Sequence, residues 1–360
     1  MYIVLKSIIH YVRREIQMPR YKQSLTVAFD TTDDTPLYSG ICYYRNNLSD
    51  NIEIRRSDIF ISFERSKKDK PGELLNTQNS IIRYYLQKAL CFYLAVEGYI
   101  PKVSAITFTC NDKTVPIEHE SFTHHWEDCR ADICLDPKAA GIIFESDKGK
   151  PFYIMMTHFL KAQLDNFSHD RFRSAWSSLN CLYTYIDSDP AYKKKRQEWK
   201  KLETLSSAID ENEMSCSMEK ISEFDMDSFW KKLNWYNIFS AYNEDELNRL
   251  AKDFYTDSML LKLYCGHRAV FSEKIQSNDK AWDKIEKNAE KNIYAPKDRL
   301  KFLICKYCYH VRNKSLHAER AYPLFIISED AETRIEKELT QIILLTIKDL
   351  FNVYAAKARE

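Results

Sequence analysis

The chain has 360 residues, with 53 Lys and Arg against 52 Asp and Glu, a formal net charge of +1. That length exceeds what one ordinary core requires and predicts two domains. The near-zero balance excludes a global basic field, so any affinity for nucleic acid has to come from local clusters. Ten cysteines with neither regular spacing nor a secretory leader predict a reducing compartment, the cytoplasm.

The first stretch, "MYIVLKSIIHYVRREIQ", is apolar but broken by Lys6 and His10. It is too short for a membrane span and has no small-residue cleavage site. It reads as a short amphipathic helix or an upstream extension, with Met18 as an alternative start, and no membrane association is expected.

Strand alternation follows at Leu25, Val27, Phe29, then at Ile59, Ile61, Phe63, and again at Ile106, Phe108, Cys110. One helix interrupts it, "TQNSIIRYYLQKALCFYLAVEG", with Thr77 or Asn76 placed to cap its start and Gly98 to end it. Five of the six glycines and seven of the ten prolines lie at or before Pro151, so turn chemistry is concentrated in the first part. The expected fold class is α+β, with a small mixed domain over residues 1–150 followed by an all-helical bundle over 151–360.

Beyond Pro151 the periodicity is helical, over about 152–187, 226–272, 276–312 and 330–357. In the last segment Ile335, Leu339, Ile342, Ile343, Thr346, Leu350 and Val353 form an apolar stripe, with Glu336, Lys337, Lys348 and Asp349 outside it. A basic run and then an acidic one, at about 188–228, read as a partly flexible charged insertion. Lys193, Lys194, Lys195 and Arg196 there, with Trp199 interleaved, form a candidate RNA-binding patch, because clustered cations bind phosphate and aromatics stack on unpaired bases. A solvated, charged helix start is the competing reading. The acidic run from Asp210 to Asp227 is placed to screen that patch.

Six glycines leave no dinucleotide fingerprint and no P-loop, and serine nucleophile elbows and H-E-x-x-H helices are absent. Cys305 with Cys308, and the group His124, His125, Cys129, Cys134, lack the second spaced pair that tetrahedral zinc needs. They read as semi-buried cysteines and loop histidines, and no metal or other cofactor is expected.

The polar stretch "CYHVRNKSLHAERAYP" ends an apolar helix, and Pro323 forbids its continuation. Arg312 and His317 lie about 140° apart on a straight helix and would not share a face. Either Asn313 bends the chain by taking a capping or left-handed conformation, or a second chain completes the site. The plain structural alternative has Asn313 capping, Arg312 paired with a carboxylate such as Glu319, and His317 packing. His310 reads as a helix-surface histidine.

"YHVRNKSLH" resembles the R-N-x-x-x-H signature of HEPN domains, helical modules of prokaryotic toxins, phage-defence effectors and RNA-processing nucleases. Upstream, "DRFRSAWSSLNCLYTYI" is similar to the first long helix of one HEPN group through Trp176, Asn180 and Tyr183. Ala318 and Glu319 stand where relatives often carry a glycine. The resemblance covers about residues 151–360 and implies a metal-independent endoribonuclease, usually a homodimer with one composite cleft. Arg312, Asn313 and His317 are then the catalytic set. His317 is the general acid or base, Arg312 stabilises the phosphorane, Asn313 holds the loop or contacts phosphate, and a 2′,3′-cyclic phosphate is the product. Asn180 is either a structural anchor or a support for the cleft. The family also implies a toxin or antiviral role, with an antitoxin or trigger protein at the first domain. The alternative is a non-catalytic, dimerising scaffold that binds RNA or nucleotide.

Overall fold

The computed structural model describes residues 21–45, 48–75, 80–188, 197–223, 296–316 and 331–360. The chain divides into two units. The first comprises Met1–Arg130 with Ala140–Gly149, and the second Ala131–Ala139 with Lys150–Glu360. The fold is α+β.

The first unit carries strands β1 (Tyr21–Phe29), β2 (Pro36–Arg45), β3 (Leu48–Arg55), β4 (Asp58–Arg65), β5 (Val103–Cys110) and β6 (Lys113–Pro116). They form one antiparallel sheet in the order β2-β3-β4-β1-β5-β6. Its register places Leu25 opposite Ile61 on one side and Phe108 on the other. The alternating residues of the three strands expected from sequence therefore meet on one buried face. Strands β2 and β3 carry a weaker signal. Among the described side chains of β2 only Cys42 is fully buried, and β3 turns Asp50, Ile52 and Ile54 to one side.

Between the four-residue helix α1 (Pro71–Leu74) and β5 runs α2 (Ile81–Glu97), which covers the buried face. Ser80, and neither Asn76 nor Thr77, caps α2, its side chain accepting from the Arg83 amide at 3.3 Å. A serine directly before the apolar run satisfies an otherwise orphaned N–H, and residues 76–79 lie outside the described residues. Gly98 ends the helix at φ 77°, with its amide on the Leu94 carbonyl. Tyr93 stacks near Phe29 at 5.0 Å and donates to the Arg56 carbonyl at 2.9 Å. Buried Lys88 donates to the Ile143 carbonyl at 2.8 Å, and burial lowers its pKa. Ile143 lies in α5 (Ile142–Glu145), which follows α3 (Glu120–Glu127) and α4 (Pro137–Ala140).

In the second unit the segment expected as one helix over 152–187 is two, α6 (Gly149–Leu164) and α7 (Ser168–Asp187). Side chains stitch the turn between them. Arg171 Nε donates to the Ala162 carbonyl at 3.0 Å, and Ser174 Oγ donates to Asp165 at 3.0 Å. Ser178 Oγ reaches the Met155 carbonyl at 2.8 Å, which fixes the pair as an antiparallel hairpin.

Residues 198–223 lie within the charged insertion expected at about 188–228. They form α8 (Glu198–Glu211) and α9 (Ser215–Glu223), which bury Leu202, Leu205, Ala208, Ile209 and Ile221. The charged composition hid an apolar stripe at helical spacing. The acidic residues there have local partners: Asp210 pairs with Lys301 at 3.0 Å, and Lys297 donates to the carbonyls of Asp210 and Asn212 at the end of α8.

The expected helix over 226–272 lies outside the described residues, and the one over 276–312 is described from Pro296. There α10 (Pro296–Lys301), a π-helical segment (Phe302–Tyr307) and α11 (Cys308–Leu316) run without a break.

Helix α12 (Ala331–Arg359) buries Leu339, Ile342, Ile343, Thr346 and Leu350 as expected, and Phe152 of α6 meets its Phe351 at 5.3 Å. Glu336 and Asp349 are buried as well, contrary to expectation. Asp349 caps α9, accepting from the amides of Cys216 and Ser217 and from Ser217 Oγ. Among the described residues, one helix, Thr333–Arg359, is long and apolar enough to cross a membrane, and 67% of its most apolar stretch is buried inside this unit.

Candidate active site

Helices α7, α8 and α11 meet around one ion pair. On α7, Trp176, Asn180 and Tyr183 are spaced by four and three and share a face. Trp176 and Tyr183 are buried against that helix seam, with ring centroids 6.3 Å apart. From α11, Tyr309 brings its ring to 6.2 Å from Trp176, and Arg312, three residues on, lies on the same face.

Arg312 approaches Glu198, the first residue of α8, with Nη1 at 3.1 Å from the carboxylate. The other oxygen of Glu198 accepts from Tyr183 Oη at 2.8 Å. Nη1 of Arg312 also donates to Asn313 Oδ1 at 2.9 Å. The chain Tyr183–Glu198–Arg312–Asn313 thus ties three helices with polar contacts. Both side chains of the ion pair are 25% exposed, so the site is a partly open rim rather than a sealed core. Burial, followed by the Glu198 contact, pushes the Tyr183 hydroxyl far above the usual tyrosine range, so it stays a neutral donor.

The π segment sets which face of α11 is presented. The Cys308 amide bonds to the Leu303 carbonyl five residues back, so this turn takes up one residue more than an α turn. Every side chain beyond it is rotated by about one residue step, roughly 100°. That rotation carries Tyr309 and Arg312 to Trp176 and Glu198.

Asn313 neither caps nor bends the chain. It sits inside α11, which continues to Leu316, and among the described non-glycine residues only Asn111 and Asp112 have positive φ. The i→i−4 ladder leaves Asn313 helical while its side chain turns back to the adjacent arginine. Among the described residues the carboxylate partner of Arg312 is Glu198, from another helix; Glu319, which the sequence suggested, lies outside the described residues. The sequence reading missed Glu198, which lay in a run taken as an insertion. Its available signal was an acidic residue opening a helix, where the macrodipole favours negative charge.

Asn180 bonds within its own helix, its Oδ1 accepting from Thr184 Oγ1 at 3.2 Å. Tyr183 is the residue of that motif that reaches the Arg312 pair. His310 is half-buried on α11. Cys305 and Cys308 are buried, and complete burial raises the Cys308 thiol well above its ordinary range. Among the described residues no group of three or more His, Cys, Asp or Glu is placed to hold a metal ion. His317, Glu319 and Lys193, Lys194, Lys195 and Arg196 lie outside the described residues, and Trp199 lies in the first turn of α8.

Arg312 offers one chemistry directly. Both of its partners use Nη1, and among the described residues Nη2 and Nε carry no hydrogen bond. A planar guanidinium held by one nitrogen and open along its other edge is suited to two oxygens of a phosphate. No known protein family, no curated protein and no solved structure matches the chain.

Proposed function

We propose that the protein is a metal-independent endoribonuclease of HEPN type, with Arg312, Asn313 and His317 as its catalytic set. The observation that carries this reading is the meeting of the two motif-bearing helices. Trp176 and Tyr183 of α7 converge with Tyr309 and Arg312 of α11, through ring contacts and through Glu198.

The chemistry follows from the residue types. His317 removes the proton from a 2′-hydroxyl, and the 2′-oxygen attacks the adjacent phosphorus. The P–O5′ bond breaks, leaving a 2′,3′-cyclic phosphate and a 5′-hydroxyl that takes up a proton. A histidine with an ordinary pKa of about 6.5 serves as base or acid near neutral pH. Arg312 neutralises the charge that gathers on the phosphorane oxygens. A second copy of the chain, docked through the helical unit, supplies the second acid–base group. The substrate is unpaired RNA, gathered by Lys193, Lys194, Lys195, Arg196 and Trp199. The setting is a cytoplasmic toxin or antiviral effector whose first unit takes a trigger or antitoxin protein.

Purified protein should cut single-stranded RNA in EDTA, and His317→Ala should slow cutting by about a hundredfold or more with an unchanged melting temperature. Cutting by the variant at the wild-type rate would remove His317 from the mechanism.

A second reading has its own support, since an arginine bridging α8 and α11 is also a structural tie. In a non-catalytic dimerising scaffold Arg312→Ala lowers stability, as it does in the nuclease, but RNA is bound and never cut, so incubation of wild type with RNA in EDTA separates the two readings.

A further inference from the structure

We propose that Glu198 is a positioning residue of the Arg312 site, holding Nη1 of the guanidinium so that its Nε–Nη2 edge is presented to two oxygens of one phosphate. This rests on the nuclease reading above and adds to it a carboxylate from a helix outside either motif. Glu198 touches Arg312, and acts on the phosphate only through it.

The argument starts from the division of labour around two side chains. Arg312 receives Glu198 and Asn313 on the same nitrogen, at 3.1 and 2.9 Å, which leaves its opposite edge uncommitted among the described residues. Glu198 spends one oxygen on Arg312 and the other on Tyr183 Oη at 2.8 Å. The carboxylate is thereby fixed from both ends. Tyr183 is fully buried, packed against Trp176 on the 20-residue helix α7, so its hydroxyl is a rigid reference point.

An arginine side chain has many rotamers in solution, and ordering it on a ligand costs conformational entropy. A guanidinium already fixed at one nitrogen loses less on meeting the phosphate. The arrangement also sets direction. Contact at Nη1 from the α8 side leaves the bidentate Nε–Nη2 edge for the phosphate. Lysine at 312 has a single nitrogen and could not serve both sides. Asn313, fixed in the helix beside Arg312, supplies a second acceptor and leaves the positive charge intact.

The test uses the full-length protein with Glu198→Gln, Glu198→Asp and Tyr183→Phe. Glutamine keeps the length and the acceptor for Tyr183 but removes the charge, and aspartate keeps the charge but withdraws it by one methylene. Glu198→Gln should lower kcat by about tenfold to a hundredfold with KM changed less than kcat and the melting temperature nearly unchanged. Glu198→Asp should recover part of that loss, and Tyr183→Phe should fall between Glu198→Gln and wild type. Wild-type kcat in Glu198→Gln, or a loss that merely follows a fall in melting temperature, overturns the proposal and leaves the nuclease reading standing.

A second readout is independent of cutting. The Arg312 Nε–H resonance, assigned by its disappearance in Arg312→Lys, is titrated with inorganic phosphate. It should shift in wild type and lose that shift in Glu198→Gln. If wild type does not cut RNA but this pattern holds, the nuclease reading fails and the positioning role stands. Equal shifts in both proteins, or none in wild type, overturn the positioning role.

Discussion

At the residue scale, single polar side chains decide both the bundle's geometry and the site's chemistry. Asp349 is the clearest structural case: buried on α12, it takes hydrogen bonds from two amides and one hydroxyl at the start of α9. Asp349→Ala should cost about 2 kcal/mol, read as a lower urea midpoint, because it leaves buried N–H groups without an acceptor. An unchanged midpoint would mean that water serves those amides equally well. Asp33 offers a pH test in the first unit. Hydrogen bonds from Thr35 and then Arg56 lower its pKa to about 2. A carboxylate with a depressed folded pKa contributes stability that is full above its unfolded value and is lost as pH falls through the folded one. A side-chain carbon NMR titration should therefore find Asp33 still ionised at pH 3, where an ordinary aspartate is mostly protonated. Residue identities at the site were legible only in part. Arg312 and Asn313 stood out through their motif, whereas Glu198 was one glutamate among many until the fold placed it 3.1 Å from Arg312.

At the element scale, legibility followed burial on one face. Strands β1, β4 and β5 were plain because each alternates three apolar residues against a covering helix. Strands β2 and β3 were not, since among its described side chains β2 fully buries Cys42 alone. Helices α8 and α9 were obscured by charge, although Leu202, Leu205 and Ile209 keep a helical stripe. The π segment left no mark in the sequence, because a turn of five residues per hydrogen bond requires no special residue type. Gly149 supplies the element-scale prediction. A Cβ there would overlap the Ile142 carbonyl oxygen and press on the Ile143 Cα at 3.1 Å, and backbone does not yield as a side chain does. Gly149→Ala should cost about 1–3 kcal/mol in thermal or urea unfolding. A variant as stable as wild type would show that α6 can start elsewhere.

At the scale of the whole molecule, the chain divides into one unit of Met1–Arg130 with Ala140–Gly149 and another of Ala131–Ala139 with Lys150–Glu360. The described part of the candidate site belongs to α7, α8 and α11. Long-range convergence of this kind cannot be read from spacing. Arg312 is far in sequence from Tyr183 and Glu198, and only the packing of three helices brings it to hydrogen-bonding range of Glu198.

The nuclease account stands on Arg312 acting on phosphate, and the ends of the cleaved RNA test it most directly. Labelled single-stranded RNA is incubated in EDTA with wild type and with Arg312→Ala, and the products are analysed by mass spectrometry. The account predicts 2′,3′-cyclic phosphate and 5′-hydroxyl ends from wild type, and a loss of about a hundredfold or more in Arg312→Ala. Uncut RNA with wild type, or equal cutting by both proteins, would contradict it.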